Sequence, residues 1–384
     1  MSYRVLLVSL FLLFPCILQA QQKRNKQPAK KVMNIPMTAD YWEFQEGKVD
    51  FVKHKDIPAM KILRDGGLAT VKNLNFSNGT IEFDAEPADA SAVPFVSVYF
   101  RYQDKNESEC FYLRVGREHN LKRNDAVQYA PFIKAVNIWD MLPHYQGPAH
   151  LNNSDWNHIK LVISGMQMRA YVNNIFQPTL QIPYLEGNSK KGSIAFEGFA
   201  TFANLVITPD AVEDLSPMAG VDLTTHDANY IRHWLVTPPV PLATGRELIP
   251  SDFPTASIKW DSLLAERNGL INLTRKFGVD DRRYVWLKTT LHSATAQQRR
   301  IDLGFSDEVW VFVNGKIVYV DKNLYLQGMR KTPNGRCSIH NSSFEIDLKS
   351  GENELLIGVA NDFYGWGIIS RIDNLEGIEL MPKE

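Results

Sequence analysis

The sequence predicts an all-β protein built from two β-sandwiches in tandem, and three observations predict this fold class. The segment Asp307–Val320 places apolar runs on both sides of Asn314-Gly315, a dipeptide preferred in tight hairpin turns because both of its residues must adopt φ > 0. Short runs of β-branched and aromatic residues recur along the 384-residue chain, with turn residues between them. A proline-containing stretch, 208–217, interrupts this pattern, which then resumes.

The hairpin at Asn314-Gly315 is apolar on both faces. Val309, Val311 and Val313 alternate with Trp310 and Phe312. A strand that is apolar on both faces must be covered on both faces. We therefore expect this hairpin to lie in the middle of a sandwich and not at its edge.

A second Asn-Gly pair, Asn78-Gly79, stands between two more apolar runs. It predicts a hairpin that joins residues 69–76 to residues 80–85.

The first 34 residues are predicted to lie outside both sandwiches. Arg4 precedes the apolar run Val5–Leu18, and Ala20 follows at the expected cleavage position, as in a secretory signal peptide. Cys16 follows a proline and not the small residue of a lipoprotein signal, so lipidation is disfavoured. The run is too short for a membrane span, and no second run of that length follows. We expect an exported protein, periplasmic or extracellular, without a transmembrane segment.

The predicted organisation therefore has five parts. They are a signal peptide (1–20), a polar and basic disordered leader (21–34), a first β-sandwich (35–210), a linker (211–220) and a second β-sandwich (221–384).

Composition excludes several function classes. The formal net charge is −1 and no basic block is interleaved with aromatic residues, so a nucleic-acid partner is not expected. The chain carries no nucleotide-binding or nucleophile-elbow motif, and its histidines lack metal-ligand spacing, so no cofactor and no transition-metal site are predicted. Once Cys16 is removed with the signal peptide, Cys110 and Cys337 remain. They fall in different predicted domains, so no disulfide is predicted.

The first half resembles a known fold family. The segment Trp156–Gly165, followed by Arg169–Asn173, Gly192–Phe196 and Phe202–Leu205, is similar to the closing strands of concanavalin A-like (laminin G-like) jelly rolls. It most resembles secreted domains of the 3-keto-disaccharide hydrolase-like group. The resemblance spans about Ile35 to Pro209 and implies a jelly-roll fold. The superfamily includes lectins, adhesins, glucanases and structural modules, so the fold alone implies no single activity.

The second half resembles the galactose-binding-like jelly roll that accompanies the catalytic domains of β-galactosidases. The similar segments are Val311–Val318, Lys349–Leu355 and Gly365–Gly367. The resemblance implies a carbohydrate-binding fold from about Val221 to Leu380. The sugar-binding residues of that group vary between members, so the resemblance implies few of them for this chain.

One short strand carries a pattern typical of a catalytic site. Glu82, Asp84 and Glu86 share one strand face, while Phe83 and Ala85 face the other way. Concanavalin A-like glucanases carry a Glu-x-Asp-x-Glu strand, so the resemblance implies a nucleophile and an acid/base. The simpler interpretation, which we favour, is a solvent-facing polar row, because the Cα atoms of Glu82 and Glu86 are about 13 Å apart in a straight strand, so their side chains would have to converge to act together. A retaining glycosidase needs a separation of about 5–5.5 Å.

Two segments carry candidate sugar-binding side chains, because aromatic rings stack on sugar faces while Asp and His bind hydroxyls. The candidates are Trp139, His144 and Tyr145 in the long segment 116–155, and Asp362, Tyr364 and Trp366 in a glycine-containing turn. The alternative for the long segment is that Trp139 anchors it to the sandwich. The alternative for the turn is that Trp366 begins a buried strand and Tyr364 caps the core. Acidic and amide side chains near such loops could also hold a structural Ca²⁺.

These patterns favour an exported carbohydrate-binding protein, accessory to polysaccharide degradation, over a catalyst. The expected partner is a polysaccharide or other glycan. Two alternatives stay open. One is a glycoside-cleaving enzyme of the 3-keto-disaccharide hydrolase-like type, and the other is a structural or adhesive module without a small ligand.

Overall fold

The computed structural model describes residues 31–89, 95–116, 124–326 and 328–381. The predicted signal peptide and most of the predicted leader lie outside the described residues. Within these ranges the chain is almost entirely β-structure, and its strands form two sandwich units, as the sequence predicts. No helix in the described part has the length and apolar character needed to cross a bilayer.

The first unit contains short and long strands between residues 33 and 209. They are β1 (Met33–Asn34), β2 (Trp42–Glu43), β3 (Val49–His54), β4 (Ile57–Ile62), β5 (Ala69–Val71), β6 (Gly79–Pro87), β7 (Phe95–Tyr102), β8 (Glu109–Arg114), β9 (Val127–Tyr129), β10 (Phe132–Ile133), β11 (Val136–Asn137), β12 (Gln146–Gly147), β13 (Asn157–Ser164), β14 (Gln167–Val172), β15 (Leu180–Ile182), β16 (Ser193–Glu197) and β17 (Ala200–Pro209).

These strands form two antiparallel sheets. The first sheet has the order β15-β14-β13-β6-β17-β4-β3, with β1 paired to β17, and the second has the order β12-β9-β8-β7-β16-β5-β2. Between them lies a core in which Phe83, Phe196 and Phe202 pack together, with 4.5 Å between the stacked rings of Phe196 and Phe202. Alternating residues of each strand point into this core, so the residues between them form an outer face on each sheet.

The second unit contains the strands from residue 233 onward and one short helix. They are β18 (His233–Val236), β19 (Val240–Pro241), β20 (Asp261–Leu264), β21 (Leu270–Asn272), α1 (Leu273–Phe277), β22 (Arg283–Ser293), β23 (Gln297–Ser306), β24 (Glu308–Val313), β25 (Lys316–Lys322), β26 (Ser342–Leu348), β27 (Gly351–Ala360), β28 (Gly367–Ile372) and β29 (Ile378–Met381). Short 3₁₀ turns lie at Ala39–Tyr41, Pro143–Tyr145, Pro250–Asp252 and Arg267–Gly269.

These strands also form two sheets around a core of their own. One has the order β20-β18-β22-β27-β24-β25, with β19 and β29 paired to β22, and the other has the order β21-β28-β23-β26. The core between the sheets includes Phe305, Val311 and Trp366. A smaller apolar cluster, with Trp286, Trp310 and Phe312, covers the outer face of the larger sheet.

The Asn314-Gly315 hairpin is confirmed, but its expected position is wrong. Asn314 and Gly315 have φ of 50° and 76°, and β24 pairs with β25. Every residue of β24 is buried, whereas β25 is the last strand of its sheet and exposes Ile317. The two-sided apolar pattern belongs to one arm of the hairpin, so it did not require the other arm to be covered.

The hairpin predicted at Asn78-Gly79 does not form. β5 lies in the second sheet and β6 in the first, so the chain crosses between sheets at this point. The Asn78 side chain instead accepts hydrogen bonds from Arg101 Nη2 (3.2 Å) and Gly165 N (2.8 Å). An Asn-Gly pair can therefore serve a sheet-to-sheet crossing as well as a tight turn.

The segments flanking the first sandwich are packed against it. Met33–Asn34, expected to belong to the disordered leader, pair with β17. Residues 211–220, the predicted linker, follow the end of β17, and Leu215 is buried against Val162 and Tyr171. The Thr80 hydroxyl donates a hydrogen bond to Ala211 O at 2.6 Å. The ordered first unit thus extends slightly beyond both predicted bounds.

Candidate functional site

A cleft of about 1040 Å³ lies over the outer face of the second sheet of the first sandwich. β7 and β8 build its floor by strand alternation. Val98 and Phe111 point into the core, whereas Tyr99, Tyr112 and Arg114 point outward into the cleft lining. The cleft is therefore lined by the residues of β7 and β8 that alternate with the core residues along each strand.

Aromatic side chains dominate the described lining of the cleft. The first sandwich contributes Phe95, Tyr99, Tyr112, Phe132, Trp139 and Phe199, and the second contributes Tyr325, Phe363 and Tyr364. Many of these rings contact one another, and Trp139 meets Tyr325 and Tyr364 at centroid distances of 4.8 and 5.7 Å. Phe95 and Tyr364 are 49% and 41% exposed, so these two rings remain accessible to a ligand.

A few polar groups stand among the rings. Glu197, at the end of β16, accepts a hydrogen bond from the Tyr99 hydroxyl. Burial, with the nearby Glu197 carboxylate, raises the pKa of Tyr99, so this phenol stays protonated. Arg114 donates to Asp125 O (2.8 Å) and to the Tyr112 hydroxyl (3.0 Å), and its guanidinium lies 4.8 Å from the centroid of the Tyr112 ring. The floor thus presents fixed hydroxyl, carboxylate and guanidinium groups.

The wall from the second sandwich is the turn between β27 and β28. The backbone N–H groups of Asp362 and Phe363 donate to Asp307 Oδ2 at 2.5 and 2.9 Å. Tyr364 has φ of 61°, a left-handed conformation that a bulky side chain rarely adopts. Such backbone strain clusters at functional sites.

The same turn is tied to the first sandwich. Gly365 N donates to Asp140 Oδ1 at 3.2 Å, and a Cβ atom on Gly365 would lie 2.5 Å from Met141 Cγ. The glycine is therefore required by close approach of the two units.

Two buried carboxyl groups meet beneath this wall. The Ser306 hydroxyl lies 3.0 Å from Asp307 Oδ1 and 3.4 Å from Asp140 Oδ2. Burial raises the pKa of Asp307 to about 7. Burial and the neighbouring Asp307 raise the pKa of Asp140 well above its usual range. Two carboxylates in one dry site repel each other, so the pair retains a proton near neutral pH.

A buried ion pair also joins the two sandwiches near the cleft. Arg336 Nη2 lies 3.3 Å from Asp125 Oδ2, and both side chains are 1% exposed. The Arg336 guanidinium lies 5.0 Å from the centroid of the Trp139 ring. Trp139 is therefore held between a cation and two aromatic rings.

The six predicted sugar-binding residues divide into three groups. Trp139, Asp362 and Tyr364 come together in the cleft, although Trp139 is more than 200 positions from the other two in sequence. Trp139 is 8% exposed, so it also anchors its segment, as the alternative interpretation expects.

His144 and Tyr145 lie in another part of the interface. The Tyr145 hydroxyl donates to Glu186 Oε1 (3.1 Å), and His144 Nε2 lies 3.0 Å from Asn268 Nδ2. Neither lines the cleft. Burial raises the pKa of the Glu186 carboxyl to about 7.

Trp366 is part of the core of the second sandwich. It is 0% exposed, and its indole N–H donates to Gly278 O at 2.9 Å. As the alternative interpretation of this turn expects, it precedes β28 and is buried. A ligand cannot reach it in this structure, so it leaves the set of candidate binding residues.

The Glu82, Asp84 and Glu86 row lies on the outer face of the other sheet. Glu86 pairs with Lys55 Nζ at 2.7 Å and His54 Nε2 at 3.1 Å, and Asp84 accepts from His158 Nδ1 at 2.8 Å. Burial alone would raise the pKa of Asp84, but hydrogen bonds from His158 and Asn204 hold it below its usual value. The row is an ion-paired surface and lines no part of the described cleft.

Sequence reasoning missed the floor of the cleft. Tyr99, Tyr112, Arg114 and Glu197 lie on regular strands and are not among the candidate residues that the sequence predicts. The sequence pattern could have identified three of them. Tyr99, Tyr112 and Arg114 occupy the outward positions of strands whose inward positions are apolar. Within the described residues, no group of three or more His, Cys, Asp or Glu side chains is arranged to hold a metal ion.

Comparison with known proteins gives structural matches alone. No family model and no curated protein sequence matches the chain. A protein of unknown function with a galectin-like fold from Bacillus subtilis matches with 12% identity and a TM-score of 0.34, over 46% of this chain and 94% of that chain. The carbohydrate-binding module CBM66 from the same organism matches with 14% identity and a TM-score of 0.28, over 46% and 95%.

A β-glucanase from Bacillus licheniformis matches with 12% identity and a TM-score of 0.33, over 48% of this chain and 100% of that chain. Similarity at this level carries no inference about function. The strand pairing of the first unit by itself defines a two-sheet sandwich.

Proposed function

We propose that this chain is an exported carbohydrate-binding protein that holds a glycan in the cleft between its two sandwiches. The observation that carries the proposal is the combination of an aromatic lining with a few fixed polar groups in a cavity of about 1040 Å³. Sites of this kind bind small organic ligands through ring faces and orient them with a small number of hydrogen bonds. Sugars present both surfaces, because their C–H faces stack on rings and their hydroxyls bind Glu, Asp and Arg.

Two accessible rings support this assignment most directly. Phe95 stands on the first sandwich and Tyr364 on the second, and both are substantially exposed although large apolar side chains are usually buried. Glu197 supplies an acceptor at the same surface, while Arg114, which is 3% exposed, holds Tyr112 in the floor. Support for a role in polysaccharide degradation comes from the resemblance of both halves to domains of secreted glycan-processing proteins.

A second candidate function is glycoside cleavage, and one observation favours it. Glu197 and Asp362 line the same cleft from different sandwiches. Glycosidases use a pair of carboxyl groups on either side of the scissile bond. If the protein is an enzyme, we expect its carboxylates to be this pair and not Glu82, Asp84 and Glu86.

A glycan panel tests both functions together. We would incubate the mature protein with immobilised and soluble glycans, and measure retention and the release of reducing ends. Retention without release supports the binding function. Release that is lost in Glu197→Gln or Asp362→Asn, but kept in the matched changes Glu82→Gln and Glu86→Gln, supports the enzyme. Neither retention nor release across the panel would contradict both and favour a structural or adhesive module.

A further inference from the structure

The cleft belongs to two folding units. Its floor is the outer face of β7, β8 and β16, whereas one wall is the turn that carries Asp362, Phe363 and Tyr364. Tyr325, also from the second sandwich, extends this wall and stacks on Phe363 at a centroid distance of 5.8 Å. Neither sandwich alone would form the enclosed space.

The wall is fixed in place before any ligand arrives. Asp307 holds the turn through two backbone N–H groups, and Asp140 of the first sandwich holds Gly365 N. The backbone N–H of Cys337 donates to Asp140 O at 2.9 Å, which ties a second segment to the same point. The buried Arg336–Asp125 pair adds a charged link between the units. A preorganised wall lowers the ordering cost of binding.

The dimensions of the cleft favour a chain of sugars over a single ring. The volume of about 1040 Å³ is slightly above the range of roughly 300–1,000 Å³ found for small-molecule sites. Phe95 and Tyr364, the most exposed rings of the described lining, stand on different sandwiches, while Tyr99 and Tyr112 of the floor are 5% and 4% exposed. A ligand that uses both accessible rings must therefore extend from one sandwich to the other.

The charges of the cleft favour a neutral chain. The described lining has three carboxylates (Asp65, Glu197 and Asp362) and two guanidinium groups (Arg64 and Arg114). Arg64 is paired with Asp89 at 3.5 Å, and Arg114 is hydrogen-bonded within the floor. Asp362 is likewise paired, with Arg282 at 3.6 Å, and Glu197 accepts from the Tyr99 hydroxyl. The charges of the described lining are therefore nearly balanced, and the lining offers no excess of positive charge that would attract a uronic-acid or sulfated glycan.

We infer that the ligand of this cleft is a neutral oligosaccharide chain that contacts both sandwiches at once, with Tyr364 as the contact from the second. This inference rests on the proposed function and names its ligand class. Affinity should then rise with the number of sugar units until the chain reaches both rings, and the rise should depend on the Tyr364 ring.

Chain-length series provide the test. We would titrate the mature protein by calorimetry with cello-, laminari-, malto- and galacto-oligosaccharides of one to six units, and with oligogalacturonate as the acidic probe. For at least one neutral series we expect weak binding of the monosaccharide, at least tenfold tighter binding of the longer members, and weaker binding of oligogalacturonate.

Two substitutions of Tyr364 distinguish loss of the aromatic ring from disturbance of the fold. Tyr364→Gly removes the ring and suits φ of 61°, whereas Tyr364→Phe keeps the ring. We expect Tyr364→Gly to abolish the gain with chain length and Tyr364→Phe to retain it. Phe176→Ala, at an 88% exposed ring outside the cleft, serves as the control and should leave binding unchanged.

The outcomes distinguish this inference from the function on which it rests. If a neutral glycan binds but its affinity is independent of length, or is the same in Tyr364→Gly, the inference fails and the proposed function stands. Tighter binding of oligogalacturonate than of every neutral series would also overturn the inference. If no probe binds, the proposed function fails, and the inference fails with it.

Discussion

The first sandwich has two outer faces that follow the same alternation rule but differ in character. On the outer face of the β6 sheet, Glu82, Asp84 and Glu86 alternate with core residues and pair with His158, His54 and Lys55. On the outer face of the β7–β8 sheet, the same positions hold aromatic residues and Arg114. The second sandwich packs beside this second face. The difference shows that strand alternation decides which residues point outward, while the neighbouring unit decides what those residues can do.

Each face therefore makes a distinct experimental prediction. Changes on the covered face should alter ligand binding or the joining of the units. Changes on the ion-paired face should alter neither.

The largest change in stability is expected from a substitution at a residue that belongs to neither outer face. Trp366→Ala should lower the free energy of unfolding by about 3–5 kcal/mol, because it leaves a large cavity in the second core and removes the indole hydrogen bond to Gly278. Denaturant titration would measure this loss. A folded variant with wild-type stability and lost glycan affinity would show that Trp366 is a binding residue after all.

The next prediction is that the buried carboxyl pair, Asp140 and Asp307, makes the stability of the protein depend on pH. The folded-state pKa of Asp307 is about 7, whereas an unfolded Asp titrates near about 3.9. Between these values the folded protein keeps a proton that the unfolded chain has lost. The stabilising contribution is therefore fully present at low pH and is lost as the pH rises through about 7.

Asp307→Asn removes this titration while keeping the shape of the side chain. We expect the variant to lose less stability than the wild type as the pH is raised from about 4 to about 7, in chemical denaturation at each pH. Glu46→Gln, at an exposed position outside the cleft and the ion-paired row, is the control and should follow the wild-type profile. Parallel profiles for Asp307→Asn and the wild type would contradict the raised pKa.

A smaller effect compares one ring from each face. Phe95→Ala removes an exposed ring of the cleft, whereas Trp156→Ala removes a ring that packs beside His54 on the ion-paired face. We expect Phe95→Ala to weaken binding of the best oligosaccharide by about 2 kcal/mol, roughly thirtyfold. Trp156→Ala should leave the dissociation constant unchanged in the same calorimetric titration. Equal losses in both variants would remove the distinction between the faces.

The smallest effects are expected on the ion-paired face itself. Glu82→Gln and Glu86→Gln should each change the free energy of unfolding by less than about 1 kcal/mol, because their cationic partners His158, His54 and Lys55 remain accessible to solvent when the carboxylate is removed. Any loss at Glu86, which pairs with Lys55, should shrink further in high salt. Thermal unfolding at two salt concentrations would measure it. A several-kcal/mol loss would mean that this row supports the fold or a site more strongly than its surroundings indicate.

The elements that the sequence predicts correctly are those that local patterns determine. The turn at Asn314-Gly315 forms as predicted, because positive φ is a property of the two turn residues themselves. The crossing at Asn78 and the edge position of β25 were mispredicted, because they depend on which distant strands pair. No local pattern contains that information.

In the candidate site, too, local patterns predict the individual residues but not how distant segments come together. Trp139, Asp362 and Tyr364 could be chosen as individual side chains suited to sugars, but their meeting across the two sandwiches depends on how the units pack. Trp366 looked equivalent to Tyr364 in sequence. It differs because Tyr364 has a positive φ whereas Trp366 leads into β28. The direction of a side chain in a turn depends on backbone conformation that composition does not encode.

The two cysteines of the described chain offer built-in reporters of how the molecule opens. Cys110 and Cys337 are unbridged and buried, and burial raises the pKa of both thiols well above its usual value. A thiol that is both inaccessible and protonated is inert to alkylating reagents. Cys110 lies in the first sandwich, on β8, whereas Cys337 belongs to the second unit but is buried in the core cluster of the first. Mass spectrometry after pulsed alkylation would thus distinguish separation of the sandwiches, which uncovers Cys337 first, from unfolding of the first sandwich, which uncovers Cys110.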